Sequence, residues 1–224
     1  MRYLKMFITK IIDTWDNHFK SNMHGKISKI KNYCYNSRFL NGMRSVIDTL
    51  GVKLCYKFGG KNKKNLKLHL GCGEKHLEGY INIDHRKTCA TDLVCDITKL
   101  PYPENSAELI ETYHVIEHVP RHSLPVALVS WHKILVPGGK LIIECPDFDI
   151  IVKEYLEGQQ SRIDDIFGLQ RLAGDAHHFG YNFKMLEGLL RKAGFIDIQK
   201  KLPQDYHASR IISFRVECRK GVGE

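Results

Sequence analysis

Asn65-Leu-Lys-Leu-His-Leu-Gly-Cys-Gly-Glu74, followed by Tyr80-Ile-Asn-Ile-Asp84, is the stretch that decides how this chain folds. Leu66, Leu68 and Leu70 alternate with Lys67 and His69, the period-two pattern of a strand. Gly71 and Gly73 then permit a sharp turn and a close approach of backbone to a ligand. Tyr80 to Ile83 form a second short strand, and Asp84 stands at its end. In an open α/β sheet, ligands bind beyond the carboxyl ends of the strands at a topological switch point. A glycine turn after one strand and an acid after the next is an arrangement that holds a ribose, the carboxylate accepting from its hydroxyls. The third glycine of the dinucleotide fingerprint is missing, because Lys75 and His76 occupy that region. Asp84 also follows the glycines too soon for the usual acid spacing of roughly twenty residues. NAD is therefore disfavoured.

Outward from that stretch, the charge divides the chain. Residues 1–64 carry 14 Lys/Arg and 3 Asp/Glu, and residues 65–224 carry 20 and 22. The net charge of +9 thus belongs to an N-terminal extension and not to the domain that follows. The reading is a basic helical extension over 1–64 and an α/β domain over 65–224. Within the extension, Leu4, Ile8, Ile11, Ile12, Trp15 and Phe19 make the stripe of an amphipathic helix over 3–20. Further helical stretches run over 27–39 and 42–50. Three roles stay open for it: a lid packed on the domain, a helix lying on an anionic membrane surface, or an RNA-binding arm. Nucleic acid is the least favoured, since the lysines are spread out and no RNA-binding motif accompanies them.

The seven cysteines are an odd number without a Cys-x-x-Cys pair, which points to reduced thiols in a cytoplasmic protein. His85, Cys89 and Cys95 lack the spacing of a structural zinc site, so no metal is assigned to them. No run approaches the roughly 18 apolar residues of a membrane span, and no secretory cleavage pattern is evident.

Toward the C-terminus, strands alternate with helices. Thr91–Asp96 and Glu108–Tyr113 read as strands, Ser123–Leu135 as a helix, and Val136-Pro-Gly-Gly139 as the turn that ends it. Lys140–Cys145 is an apolar strand, Phe148–Leu156 a helix, and Phe183–Ala193 a helix stopped by Gly194. Ile196–Lys201 and Arg210–Arg219 are the last strands. This order predicts a mostly parallel sheet with helices on both faces. The final two strands, with no helix between them, predict an antiparallel edge hairpin.

Seven short motifs in order carry a family resemblance. They are Leu68-His-Leu-Gly-Cys-Gly-Glu74, Leu77-Glu-Gly-Tyr-Ile-Asn-Ile-Asp84, Asp96-Ile-Thr-Lys-Leu-Pro-Tyr102, His114-Val-Ile-Glu-His-Val119, Leu135-Val-Pro-Gly-Gly139, Pro146-Asp147, and His177-His-Phe-Gly-Tyr181 ahead of Leu189-Leu-Arg-Lys-Ala-Gly-Phe195. On these the chain resembles the class I S-adenosylmethionine (SAM)-dependent methyltransferases, and within them the compact enzymes of bacterial surface-polysaccharide gene clusters. The resemblance implies a Rossmann-like, seven-stranded fold with SAM as cofactor. It implies that Gly71, Cys72 and Gly73 approach the methionine and ribose, that Asp84 binds the ribose hydroxyls, that Asp96 and Ile97 meet the adenine, and that His114 lies at the methionine end. Asp96 also reads as a turn or cap acid.

A hydroxyl acceptor needs a base with a pKa near the working pH, and histidine is the usual choice. His114, His118, His177 and His178 are the candidates, with Glu117 and Asp147 at strand ends and Tyr181 beside the His177–His178 pair. His118 with Glu117 reads equally as the start of the next helix, and His177 and His178 as surface residues. The resemblance favours an O-methyltransferase acting on a sugar or glycan intermediate, at the inner membrane face if residues 1–20 make peripheral contact. Its alternatives are a small-molecule or quinone-type enzyme that uses a divalent metal, an RNA methyltransferase, and a non-catalytic SAM-binding subunit. Oligomeric state is left open.

Overall fold

The computed structural model describes residues 65–204 and 211–223. The helices read over 3–20, 27–39 and 42–50, and the extension's boundary at residue 64, lie outside the described residues.

Seven strands form one sheet: β1 (Leu66–Leu70), β2 (Ile81–Asp84), β3 (Leu93–Val94), β4 (Ala107–Tyr113), β5 (Leu135–Pro146), β6 (Phe195–Lys201) and β7 (Ser213–Lys220). Their order across the sheet is β3-β2-β1-β4-β5-β7-β6. The first five are mutually parallel, and β7 runs antiparallel to both β5 and β6. This is the Rossmann-like methyltransferase topology with its antiparallel C-terminal edge, as the sequence predicts. The chain lays down β1, β2 and β3 to one side, then returns to place β4 on the other flank of β1. The switch point therefore lies between β1 and β4.

Register explains the core. Leu68, Ile110 and Leu141 pair in one row across β1, β4 and β5, and Leu70, Thr112, Ile143 and Val216 in the next row on the same face; all are fully buried. Helix α1 (Leu124–Ile134) contributes Leu124, Ala127, Leu128 and Trp131 to the same cluster, and α4 (Phe183–Lys192) adds Leu186 and Leu190. Each large apolar side chain buried in this way stabilises by about 1.5–3 kcal/mol. Trp131 can be buried because its indole N–H donates to the Ile97 carbonyl at 2.9 Å.

The other face of the same strands is polar. His69 pairs across from Glu111, and Glu144 from Arg215. Arg215 donates to Glu144 at 2.7 Å with both side chains buried, so neither charge is left uncompensated. Helix α4 begins where Asn182 accepts from the Met185 N–H at 2.9 Å, and Gly194, at φ +97°, follows its end.

Three elements depart from the sequence reading. Val136–Gly139 is not a free turn but an out-of-register excursion within β5. Leu135 pairs with Ala107 and Lys140 with Leu109, so both sides of the excursion stay tied to β4. β3 shrinks to two residues within 91–96. A short helix α3 (Arg162–Phe167) follows α2 (Phe148–Leu156) and has little periodicity of its own. It is tied down by Arg162, which donates at 2.7 Å to both Glu154 and Asp165. Among the described residues no helix is long and apolar enough to cross a membrane.

Candidate active site

A cleft of about 540 Å³ opens over the C-terminal ends of β1, β2 and β4. That volume suits a nucleoside-sized ligand together with part of an acceptor. It has two chemically different walls.

The first wall is the turn after β1. Gly71 takes φ +67°, and a Cβ there would lie 2.2 Å from Val115, so only glycine fits both the conformation and the space. At Gly73 a Cβ would meet nothing within 4 Å, which leaves the backbone open on that side. The Gly73 N–H donates to Asp84 Oδ2 at 2.9 Å, and the Arg86 N–H to Oδ1 at 2.8 Å. Each carboxylate oxygen retains acceptor capacity beyond these bonds. Burial pushes the Asp84 carboxyl up, but the His85 ring at 3.2 Å and the Arg86 and Gly73 amides more than offset it, and its pKa falls below the ordinary value. Asp84 is thus a fixed anion facing the cleft, as a ribose site requires.

Cys72 does not line the cleft. Its side chain is buried outside the cleft, and burial pushes the thiol up to about 11, so it stays protonated. Asp96 and Ile97 do not line the cleft. Asp96 Oδ1 accepts from the Thr98 N–H at 2.9 Å and from its hydroxyl at 2.7 Å, capping a single 3-10 turn. Ile97 packs against the core and accepts from Trp131. His85, Arg86 and Tyr113 do line the cleft, although sequence reasoning gave none of them a part in the cofactor site. Their signal was position alone: each sits at or just past the end of a strand that borders the switch point.

The second wall is built of histidines and one acid. His114 follows β4 at φ +54°, a strained conformation for a non-glycine residue, held by its N–H donating to the Glu144 carbonyl at 2.9 Å. Its Nδ1 lies 3.4 Å from Glu117 Oε1, and its Nε2 lies 3.2 Å from the Ser213 hydroxyl. Glu117 is buried at 2% exposure; the His114 ring stands beside Oε1, and neither carboxylate oxygen meets a donor in good hydrogen-bond geometry. Burial pushes its carboxyl up, while His114 and His118 hold it below the ordinary value.

His118 and His177 meet edge to face, with ring centroids 4.8 Å apart. Each is oriented by a backbone carbonyl: His118 Nδ1 lies 3.0 Å from the Ala176 oxygen, and His177 Nδ1 lies 2.9 Å from the Asp165 oxygen. A carbonyl only accepts, so in the neutral rings both Nδ1 atoms carry the proton and both Nε2 atoms carry the lone pair. Burial lowers the His177 pKa, and that favours the neutral form. The turn that brings His177 here depends on Gly168 at φ +77°, where a Cβ would lie 2.3 Å from the Asp175 carbonyl.

The other two candidates stand elsewhere. His178 is exposed and does not line the cleft, and its part is structural: its N–H donates to the Glu117 carbonyl at 2.7 Å. Tyr181 is a core residue whose ring meets Phe179. Burial pushes its phenol up to about 12, and it does not line the cleft. The structure thus brings His118 and His177 together with Glu117 and leaves His178 and Tyr181 outside.

Comparison with known proteins bears on the class. Residues 78–143 match the methyltransferase domain family. No curated protein matches the chain. Among solved structures, a SAM-dependent methyltransferase from Archaeoglobus fulgidus is similar with a TM-score of 0.51 and 15% identity, over 77% of this chain and 94% of that one. A SAM-dependent methyltransferase from Thermotoga maritima is similar with a TM-score of 0.50 and 17% identity, over 89% of this chain and all of that one. At these identities the structural likeness is one of fold. The family match over residues 78–143 and the likeness of fold agree on a methyltransferase-type domain.

Proposed function

We propose that the protein transfers the methyl group of SAM to a hydroxyl of a sugar or glycan intermediate in surface-polysaccharide synthesis, working at the inner membrane face. The observation that carries the reading is the cleft whose one wall offers Gly71, Gly73 and Asp84 and whose other wall offers the His118 and His177 rings. Bound there, SAM supplies an electrophilic methyl on a sulfonium. The chain supplies the rest. Asp84 and the glycine turn fix the nucleoside end, and the histidine wall receives the acceptor and its proton. In-line displacement gains chiefly from such positioning, and removal of the acceptor proton adds to it. The Nε2 lone pairs suit proton acceptance from a hydroxyl. The order of the seven motifs supports the glycan acceptor class, and the stripe over residues 3–20 supports contact with an anionic membrane surface.

The test is to incubate the purified protein with methyl-labelled SAM and the lipid, soluble-sugar and RNA fractions of its host. Label entering lipid-linked or free sugar material is the expected result. Label confined to RNA would overturn the acceptor class and recast residues 1–64 as a nucleic-acid arm. SAM binding with no label in any fraction would favour the non-catalytic subunit.

A further inference from the structure

We propose that Glu117, His118 and His177 form a binding site for a divalent first-row transition-metal ion at the acceptor end of the cleft. The metal's use in methyl transfer rests on the reading above; the site itself does not.

Three observations converge on it. One donor atom from each of the three residues lies within 4.8 Å of the other two. Ligands about 2.1 Å from a tetrahedral ion stand roughly 3.4 Å apart, so closure needs shifts of an ångström or so and no change of fold. Secondly, both imidazoles are already set as metal ligands. Each gives its Nδ1 proton to a backbone carbonyl, at 3.0 Å for His118 and 2.9 Å for His177, which leaves Nε2 as the coordinating atom. That second bond is the usual companion of a metal-bound histidine, because it fixes the tautomer and the ring plane. Thirdly, Glu117 is buried, and neither oxygen meets a donor in good hydrogen-bond geometry, the His114 ring lying 3.4 Å from Oε1. A carboxylate withdrawn from water with so little donation is costly, and a cation beside it compensates that loss.

The donor set selects the ion. Two imidazoles and one carboxylate suit zinc, iron(II), cobalt or manganese better than magnesium, which prefers oxygen ligands throughout. Three protein donors also leave a coordination position free for an acceptor, since Glu117, His118 and His177 all line the cleft. A hydroxyl placed there is acidified. Its oxygen forms the new bond to the methyl carbon as the carbon–sulfur bond breaks. The sulfonium becomes a neutral thioether; with both Nε2 atoms on the ion, the hydroxyl proton passes to water in the cleft and not to a histidine.

The test is cobalt(II) titration of the full chain after chelator treatment, followed by visible absorption and metal analysis, with SAM affinity measured calorimetrically in parallel. One equivalent of cobalt with ligand-field bands is expected. His177→Ala, His118→Ala and Glu117→Gln should each weaken cobalt binding at least tenfold while SAM affinity stays within about twofold. Thermal unfolding checks that each variant is folded. The wild-type titration stands as a test if a variant is not. SAM binding without saturable cobalt binding would overturn the metal site and leave the methyltransferase reading intact. Cobalt binding that His177→Ala and His118→Ala leave unchanged would place the ion elsewhere and also overturn it. Cobalt bound at this site with no SAM affinity would uphold the site and remove the methyl-transfer reading.

Discussion

The two walls of the cleft differ in how the chain makes them. The cofactor wall is local: Gly73 bonds Asp84 across 11 residues, within one strand–turn–strand unit. The histidine wall is assembled from far apart: His118 is oriented by Ala176 across 58 residues, and His114 meets Ser213 across 99. A wall made by neighbours in sequence is fixed by turn chemistry. A wall made by distant residues depends on how α2, α3 and the loop after them are placed. The first therefore tolerates changes elsewhere in the fold, whereas the second is exposed to every change that moves the 168–177 loop.

The largest effect is expected at Gly71, where Gly71→Ala sets a Cβ against Val115 in a left-handed conformation. Methyl transfer should fall by about 100-fold or more, as displacements of an ångström do at such sites, and calorimetry should find SAM affinity lost with it. The opposite wall should separate the two parameters. His118→Ala and His177→Ala should each lower kcat by about 100-fold with SAM affinity nearly unchanged, as steady-state kinetics beside calorimetry would show. A matching loss of SAM affinity would mean that the walls are not independent. Gly168→Ala should act in the same sense through the loop, lowering kcat by about tenfold or more without weakening SAM.

Asp84→Asn should weaken SAM by about 10- to 100-fold, the range for a charge-assisted hydrogen bond. Because the Asp84 pKa is lowered on folding, the stability it contributes is complete above its ordinary value and is lost as pH falls through the lowered one. Acid unfolding of the wild type below about pH 4 should therefore be steeper than that of Asp84→Asn. The smallest effect is expected at Asp96. Asp96→Ala removes a cap and should cost about 1 kcal/mol of stability, read from denaturant unfolding. Because Asp96 does not line the cleft, the SAM Kd should stay within about twofold.

The strand pattern of Leu66–Leu70, the glycines after it and Asp84 were legible because period-two alternation and left-handed backbone are properties of adjacent residues. The edge hairpin was legible because the sequence shows no helical periodicity between 201 and 210. Val136–Gly139 misled because its turn residues are real, yet pairing of both flanks with β4 holds them inside a strand. Helix α3 left little trace because two ion pairs of Arg162, one of them to α2, hold it in place. His118 and His177 were legible as residue types suited to the chemistry, as were His178 and Tyr181, and nothing in the sequence separated the pairs. Adjacent histidines read alike, yet folding turned His177 into the cleft and left His178 exposed.

By itself the sequence determined the α/β order, the parallel sheet with its antiparallel edge, and the glycine–acid pair at the switch point. Each of these follows from periodicity and from backbone freedom at single positions. Only the tertiary structure decided which polar groups share a site. Glu117 becomes a buried carboxylate with no donor in good hydrogen-bond geometry only once the sheet and loop enclose it. His118 and His177 become oriented ligands only once the carbonyls of Ala176 and Asp165 stand beside them. Burial and long-range hydrogen bonds are properties of the packed chain, and they turned a list of suitable residues into one arrangement.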